Sequence, residues 1–145
     1  MNTKWTSWGN RNQIQNIQPG VYYLAHTEQN ISGNDFSMIK EIIYIGVTIS
    51  KGGTKGRLGQ FRDTMERNYN NHGGAQRVRF KHKNSTLFFN NLYVSVLPFP
   101  LLSNNGDDLR IKGECLKHEY VSFAEYVDLY GVLPEFNDQK RSLKK

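Results

Sequence analysis

Tyrosine, arginine and glutamate stand in this chain at positions where each could do chemistry as well as fill space. Tyr22 lies next to a glycine-valine pair in one apolar run, GVYYL, and Tyr44 precedes a glycine in a second, EIIYIGV. A phenol normally ionises near pH 10, so either tyrosine can take a proton from water only where a nearby cation lowers that value. The following segment, GRLGQF, supplies Arg57, whose planar fork can clamp two phosphate oxygens and stays charged. Three carboxylates, Glu114, Glu119 and Glu125, come late in the chain. Each of these residues also has an ordinary use: a strand tyrosine as half-buried packing, a helix-start arginine as a surface cation, helix glutamates as a solvated face.

The elements that must position them follow from local pattern. Residues 1–17 read as an N-terminal arm whose Trp5 and Trp8 are better suited to packing on a core than to stacking on a base. GVYYLAH at 20–26 is a first strand, QNISGND at 29–35 is turn chemistry, and EIIYIGVT at 41–48 is a second strand. After the glycine and lysine loop SKGGTKG, Leu58, Phe61 and Met65 fall at spacings of three and four, a helical stripe that NNHGG at 70–74 interrupts. Arg77, Arg79, Lys81 and Lys83 alternate with other residues, which in an extended segment puts four cations on one face. A third strand at 91–97 stops at Pro98 and Pro100. A last helix at 109–130, started by Asp107 or Asp108, draws an apolar face from Leu116, Tyr120, Phe123, Val127 and Tyr130 and ends at Gly131 and Pro134. Strand, strand, helix, strand, helix is an α+β order.

Composition bounds the function. At 145 residues the chain is one domain with a single core. Its 19 Lys and Arg against 13 Asp and Glu give a net charge of +6, and the excess suits a polyanion whose condensed counterions binding would release. No stretch approaches the roughly 20 apolar residues of a membrane span, and the polar start lacks a secretory core. The lone Cys115 allows neither an internal disulfide nor a cysteine zinc site, so a reducing, cytoplasmic setting is expected.

Taken in order, GVY, YIG, an arginine on the next helix, a glutamate on a late helix and an asparagine near the end, the set resembles the GIY-YIG nuclease family from about Gly20 to Asn137. The resemblance implies a small three-stranded antiparallel sheet flanked by helices over residues 18–138, preceded by the arm and followed by a loose basic tail at 139–145. It further implies a metal-dependent endonuclease that hydrolyses DNA phosphodiesters with Mg²⁺ or Mn²⁺ as cofactor. Such a reaction needs a base for water, positive charge on the phosphorane oxygens and a Lewis acid or proton donor for the leaving oxygen. Carried over residue by residue, Tyr22 and Tyr44 surround the attacking water, Arg57 holds the scissile phosphate and Glu119 binds the metal. Gly46 completes the second signature, and Asn137 fastens the C-terminal loop beside the site. The pattern of residues around the glutamate selects Glu119, whereas the twelve-residue interval to Asn137 selects Glu125.

Lys55, Arg62, His72, Arg77, Arg79 and Lys81 are the candidate contacts to double-stranded DNA. Two positions depart from the family pattern. Relatives often carry histidine or tyrosine four residues after the helix arginine, where this chain has Phe61, and some carry lysine after YIG, where it has Val47. Lys51, Lys55, His72, Tyr23 or Tyr69 could make good the loss. The rival expectations are a catalytically weak DNA-binding module on the same fold and a protein-interaction domain without nucleic acid. Target choice would come from loops 28–38, 49–56 and 70–90, or from a second subunit in a homodimer.

Overall fold

One strand, GVYYLAH, is the spine of the molecule, buried along both faces from Gly20 to Ala25. Burial on two sides explains why its apolar run does not alternate. The computed structural model describes residues 1–143; Lys144 and Lys145, at the end of the basic tail, lie outside the described residues. Numbered along the chain, the strands are β1 (Thr6–Ser7), β2 (Gly20–His26), β3 (Ile42–Thr48) and β4 (Leu92–Pro98). They form one antiparallel sheet in the order β1-β4-β2-β3. The helices are α1 (Gly53–Arg67), α2 (Gly73–Lys81), α3 (Ser85–Asn90) and α4 (Asn105–Tyr130), with single 3-10 turns at Trp8–Gln13 and Glu135–Asn137. The class is α+β, with four strands among the described residues where the sequence suggests three.

Period two along β2 sorts the core into two halves. Tyr22 and Leu24, with Val94 and Val96, meet Leu58, Phe61 and Met65 of α1, Val78 of α2 and Phe88 of α3. Val21, Tyr23 and Ala25 turn the other way, toward Cys115 and Tyr126 of α4. The site residues are therefore divided between two layers, and β3, at the sheet's edge, is the strand they share.

Four expectations need correction. The N-terminal segment is part of the domain: β1 pairs with β4, and Trp5 and Trp8 are buried, because large aromatic surfaces gain most from leaving water. Trp8 stacks on Phe89 at 4.8 Å, while the carbonyls of Asn16 and Gln18 accept the amide hydrogens of Lys55 and Thr54 at the start of α1. The tail is held through Ser142, which is buried, and through Arg141, which pairs with Asp138.

The basic segment is helical, not extended. His72 caps α2, and its side chain accepts the amide hydrogen of Ala75. Helical winding dissolves the four-cation strip: the Arg77 Nε donates inward to the Phe136 carbonyl, Arg79 ties to the carbonyls of Thr64 and Tyr69, and Lys81 pairs with Glu135. The stretch 70–90 thus carries two helices rather than one loop.

The buried face of α4 is also displaced by about one residue's turn, roughly 100°. Cys115, Ser122 and Tyr126 face the sheet, whereas Leu116, Tyr120 and Val127 are exposed. Small side chains at 115 and 122 admit the helix close to the strands. Hydroxyl contacts then fix its rotation, Tyr23 with Ser122 at 2.7 Å, Tyr126 to the Lys40 carbonyl and Tyr130 to the Met38 carbonyl. The cap of α4 is Asn104, accepting from Asp107 N–H, so Asp107 lies inside the first turn. Among the described residues no helix is long and apolar enough to cross a membrane.

Candidate active site

Tyr22 on β2 pairs in register with Gly46 on β3, and Leu24 with Tyr44. All four therefore point to the face covered by α1 and α2. The Tyr22 ring lies flat over Gly46: a Cβ there would come 2.3 Å from Tyr22 Cζ, a distance no packing adjustment short of moving the ring relieves. Gly74, in the first turn of α2, does the same for Tyr44, where a Cβ would come 2.5 Å from the ring. Two glycines thus let two tyrosines lie side by side with ring centroids 6.1 Å apart. Tyr22 is fully buried, and only Tyr44 keeps partial contact with solvent.

His72 locks this pair. Its Nε2 lies 2.8 Å from the Tyr22 hydroxyl, and its Nδ1 accepts the Ala75 N–H at 3.1 Å. A backbone N–H can only donate, so in the neutral ring the proton belongs on Nε2, which then donates to the Tyr22 oxygen. The ring stays neutral because burial, with the charges of Arg57 and Arg77 adding to it, pushes the His72 pKa down to about 3. The Tyr22 proton is left free for another acceptor. Tyr44 is raised above the usual phenol value by burial, with Arg57 and Arg77 opposing and Glu119 adding. Tyr22 itself is raised well above the usual phenol value by burial, with Tyr44 adding and Arg57 opposing.

Arg57, one turn into α1, is anchored on the Asn71 carbonyl at 3.1 Å and on the Gln60 side chain. Its charge acts on Tyr22, Tyr44 and His72 alike. Glu119 acts on both phenols from α4. It is half-buried, and burial alone raises its carboxyl, with no hydrogen bond or cation among the described residues to offset the effect. Glu114 and Glu125 are exposed, and Glu125 bears on Tyr23, on the opposite face of the sheet. Glu119 is thus the one half-buried member of the three, on a helix that packs against the other face of the sheet while its charge is felt by both phenols.

No group of three or more His, Cys, Asp or Glu side chains gathers among the described residues. A lone, undercompensated carboxylate still fits Mg²⁺, which keeps several waters and takes its remaining ligands from substrate phosphates. Asn137 closes the site's outer border: its amide accepts from the Ile45 N–H at 2.8 Å and donates to the Ile45 carbonyl at 2.9 Å.

Of the candidate DNA contacts, Lys55 is exposed at the start of α1 and Arg62 pairs with Asp63. His72 and Arg77 are buried and cannot touch a duplex, so both belong to the support of the tyrosines instead. Arg79 and Lys81 are engaged as described above. Tyr23 faces α4, and Tyr69 is exposed beyond the end of α1. Sequence reasoning offers His72 as a DNA contact or as one of several stand-ins for the group missing at Phe61; its capping of α2 and the part of Gly74 escape it, although an HGG triplet, a capping side chain followed by residues without Cβ, is the signal that carries them. The chain matches no protein-family model, no curated protein and no solved structure.

Proposed function

We propose that the chain is a metal-dependent endonuclease of the GIY-YIG type acting on double-stranded DNA. The observation that carries this reading is that Tyr22 and Tyr44, from different strands, lie 6.1 Å apart between ring centroids beside His72, next to the segment on which Arg57 is anchored, with Arg57 the cation that opposes burial at both phenols. Tyr44, the phenol in contact with solvent, positions the attacking water and would take its proton in the phenolate form, which a metal bound at Glu119 together with Arg57 would favour over the protonated form that burial alone holds. Tyr22 supports it from behind, with its own oxygen held by His72; this buried pair stands in for the polar group that Phe61 does not supply. Arg57 neutralises the phosphate as charge builds on its oxygens. Glu119 holds Mg²⁺ or Mn²⁺, which when bound offers Lewis-acid assistance to the leaving oxygen. Lys51 and Lys55, exposed before and within the first turn of α1, meet flanking phosphates.

Supercoiled plasmid incubated with Mg²⁺, Mn²⁺ or chelator tests the proposal. Metal-dependent nicking that disappears in Glu119→Gln is the expected result, and sequencing the new ends gives the target. A second reading, a DNA-binding module without catalysis, draws on the complete burial of Tyr22 and its raised phenol. Salt-sensitive retention of DNA with no nicking under any divalent metal would favour it.

A further inference from the structure

The apolar side chains that the sequence pattern assigns to the inside of α4 are on its outside, and they form one strip. Leu109, Leu116, Tyr120 and Val127 are 69%, 42%, 73% and 38% exposed. At about 100° per residue they fall within roughly 40° of one another, a quarter-turn away from the face that packs on the sheet. Intervals of seven, four and seven place them on the alternating three-and-four spacing of a helix-pairing seam. The strip runs for about 27 Å from Leu109 to Val127.

Charge along its outer flank says what covers it. Arg110 and Lys117 line the N-terminal half, and Asp128 lies on the same flank in the C-terminal half. We infer that this strip binds the same strip of a second copy of the chain, with the two helices antiparallel. A two-fold axis near residue 118 sets Leu109 against the partner's Val127, Leu116 against the partner's Tyr120, and Arg110 beside the partner's Asp128, while Lys117 meets the partner's Lys117 at the axis, a solvent-exposed repulsion that the two Arg–Asp pairs must outweigh. In a parallel pair the two charged flanks would lie on opposite sides of the seam, so only the antiparallel form brings Arg110 to the partner's Asp128. Among the described residues of one chain Arg110 pairs only with Asp107, at 2.8 Å and in solvent, a contact of small worth that does not compete strongly. One helix face is a narrower footprint than the roughly 800 Å² per partner of a standard interface, so the dimer is weak and concentration-dependent. The inference rests on the surface alone and holds whether or not the chain cuts DNA.

Sedimentation velocity on the full chain, without DNA, over about 5–300 μM tests it. A monomer–dimer equilibrium is expected, and Tyr120→Lys should weaken it by about tenfold or more. Arg110→Glu and Asp128→Lys should each weaken it several-fold, and the double variant should bring it back to within about twofold of the starting protein. A chain that stays monomeric throughout overturns the inference. A dimer indifferent to Tyr120→Lys, or a double variant no better than the two single ones, also overturns it. Circular dichroism on each variant keeps a folding defect from passing as dissociation, because all the substituted side chains are solvent-facing.

Discussion

Lowering the pH should destabilise this protein, and His72 is the histidine that burial shifts furthest. The unfolded chain binds a proton there near pH 6.5, the folded chain only near 3, so acid favours unfolding. Stability from this group is complete above pH 6.5 and falls as pH drops toward 3, by about 1.4 kcal/mol per pH unit. Between pH 7.5 and 5 the loss from His72 is thus about 2 kcal/mol, a large part of the margin by which most domains stay folded. Burial also lowers His26 and His82, so the measurement must isolate one ring. His72→Asn does so, since Asn keeps an oxygen where Nδ1 caps α2, ranks among the best N-cap residues and does not titrate. Urea unfolding followed by the fluorescence of the buried Trp5 and Trp8 gives stability at both pH values. The wild type should lose about 2 kcal/mol more than His72→Asn over that interval. An equal loss in the two proteins would refute the buried, neutral ring and the tautomer deduced from it.

Gly46→Ala should unsettle the fold by about 3 kcal/mol or more, because its methyl would occupy the space of the Tyr22 ring; a urea midpoint within experimental error of wild type would count against the register. Arg57→Ala and Glu119→Gln should each slow plasmid cleavage by roughly 10²–10³ and leave the unfolding midpoint nearly unchanged; equal cleavage by Glu119→Gln and wild type would move the metal ligand elsewhere. Asn137→Ala, which strips the Ile45 N–H and carbonyl of their side-chain partner, should cost about 1–3 kcal/mol, read as faster amide exchange at Ile45 than in the β2–β4 ladder.

The pattern of apolar residues predicts the three long strands as short apolar runs bounded by turn residues or prolines, and α1 because Leu58, Phe61 and Met65 fall at its spacing of three and four. It fails for α2, where alternating cations imitate a strand. The deciding influences are a local cap from His72, which the alternating cations mask, and a docking site for Arg77 on Phe136, a contact between remote segments that no local window contains. It fails for the rotation of α4 for a related reason: the inner face is chosen by small and hydroxylated residues that fit Tyr23 and two loop carbonyls, while greasier ones are left out. Tyr22, Tyr44, Arg57 and Glu119 are legible as a set because their order along the chain follows a known pattern. The glycines that make room for the rings, and the histidine behind them, become visible only when β2, β3 and α2 are stacked.

The Asn137 clamp on Ile45 has a bearing on how the chain matures. The two residues are separated by 92 positions, and the amide serves as a one-residue substitute for a fifth strand along the open rim of β3. Until the ribosome has delivered that late segment, the rim is bare, with its backbone groups at Ile45 ready to pair with any extended peptide nearby. Newly made molecules are therefore most prone to stick together in the interval between completing β3 and completing the turn at Glu135–Asn137, and high-level expression should lengthen the queue of molecules caught in it.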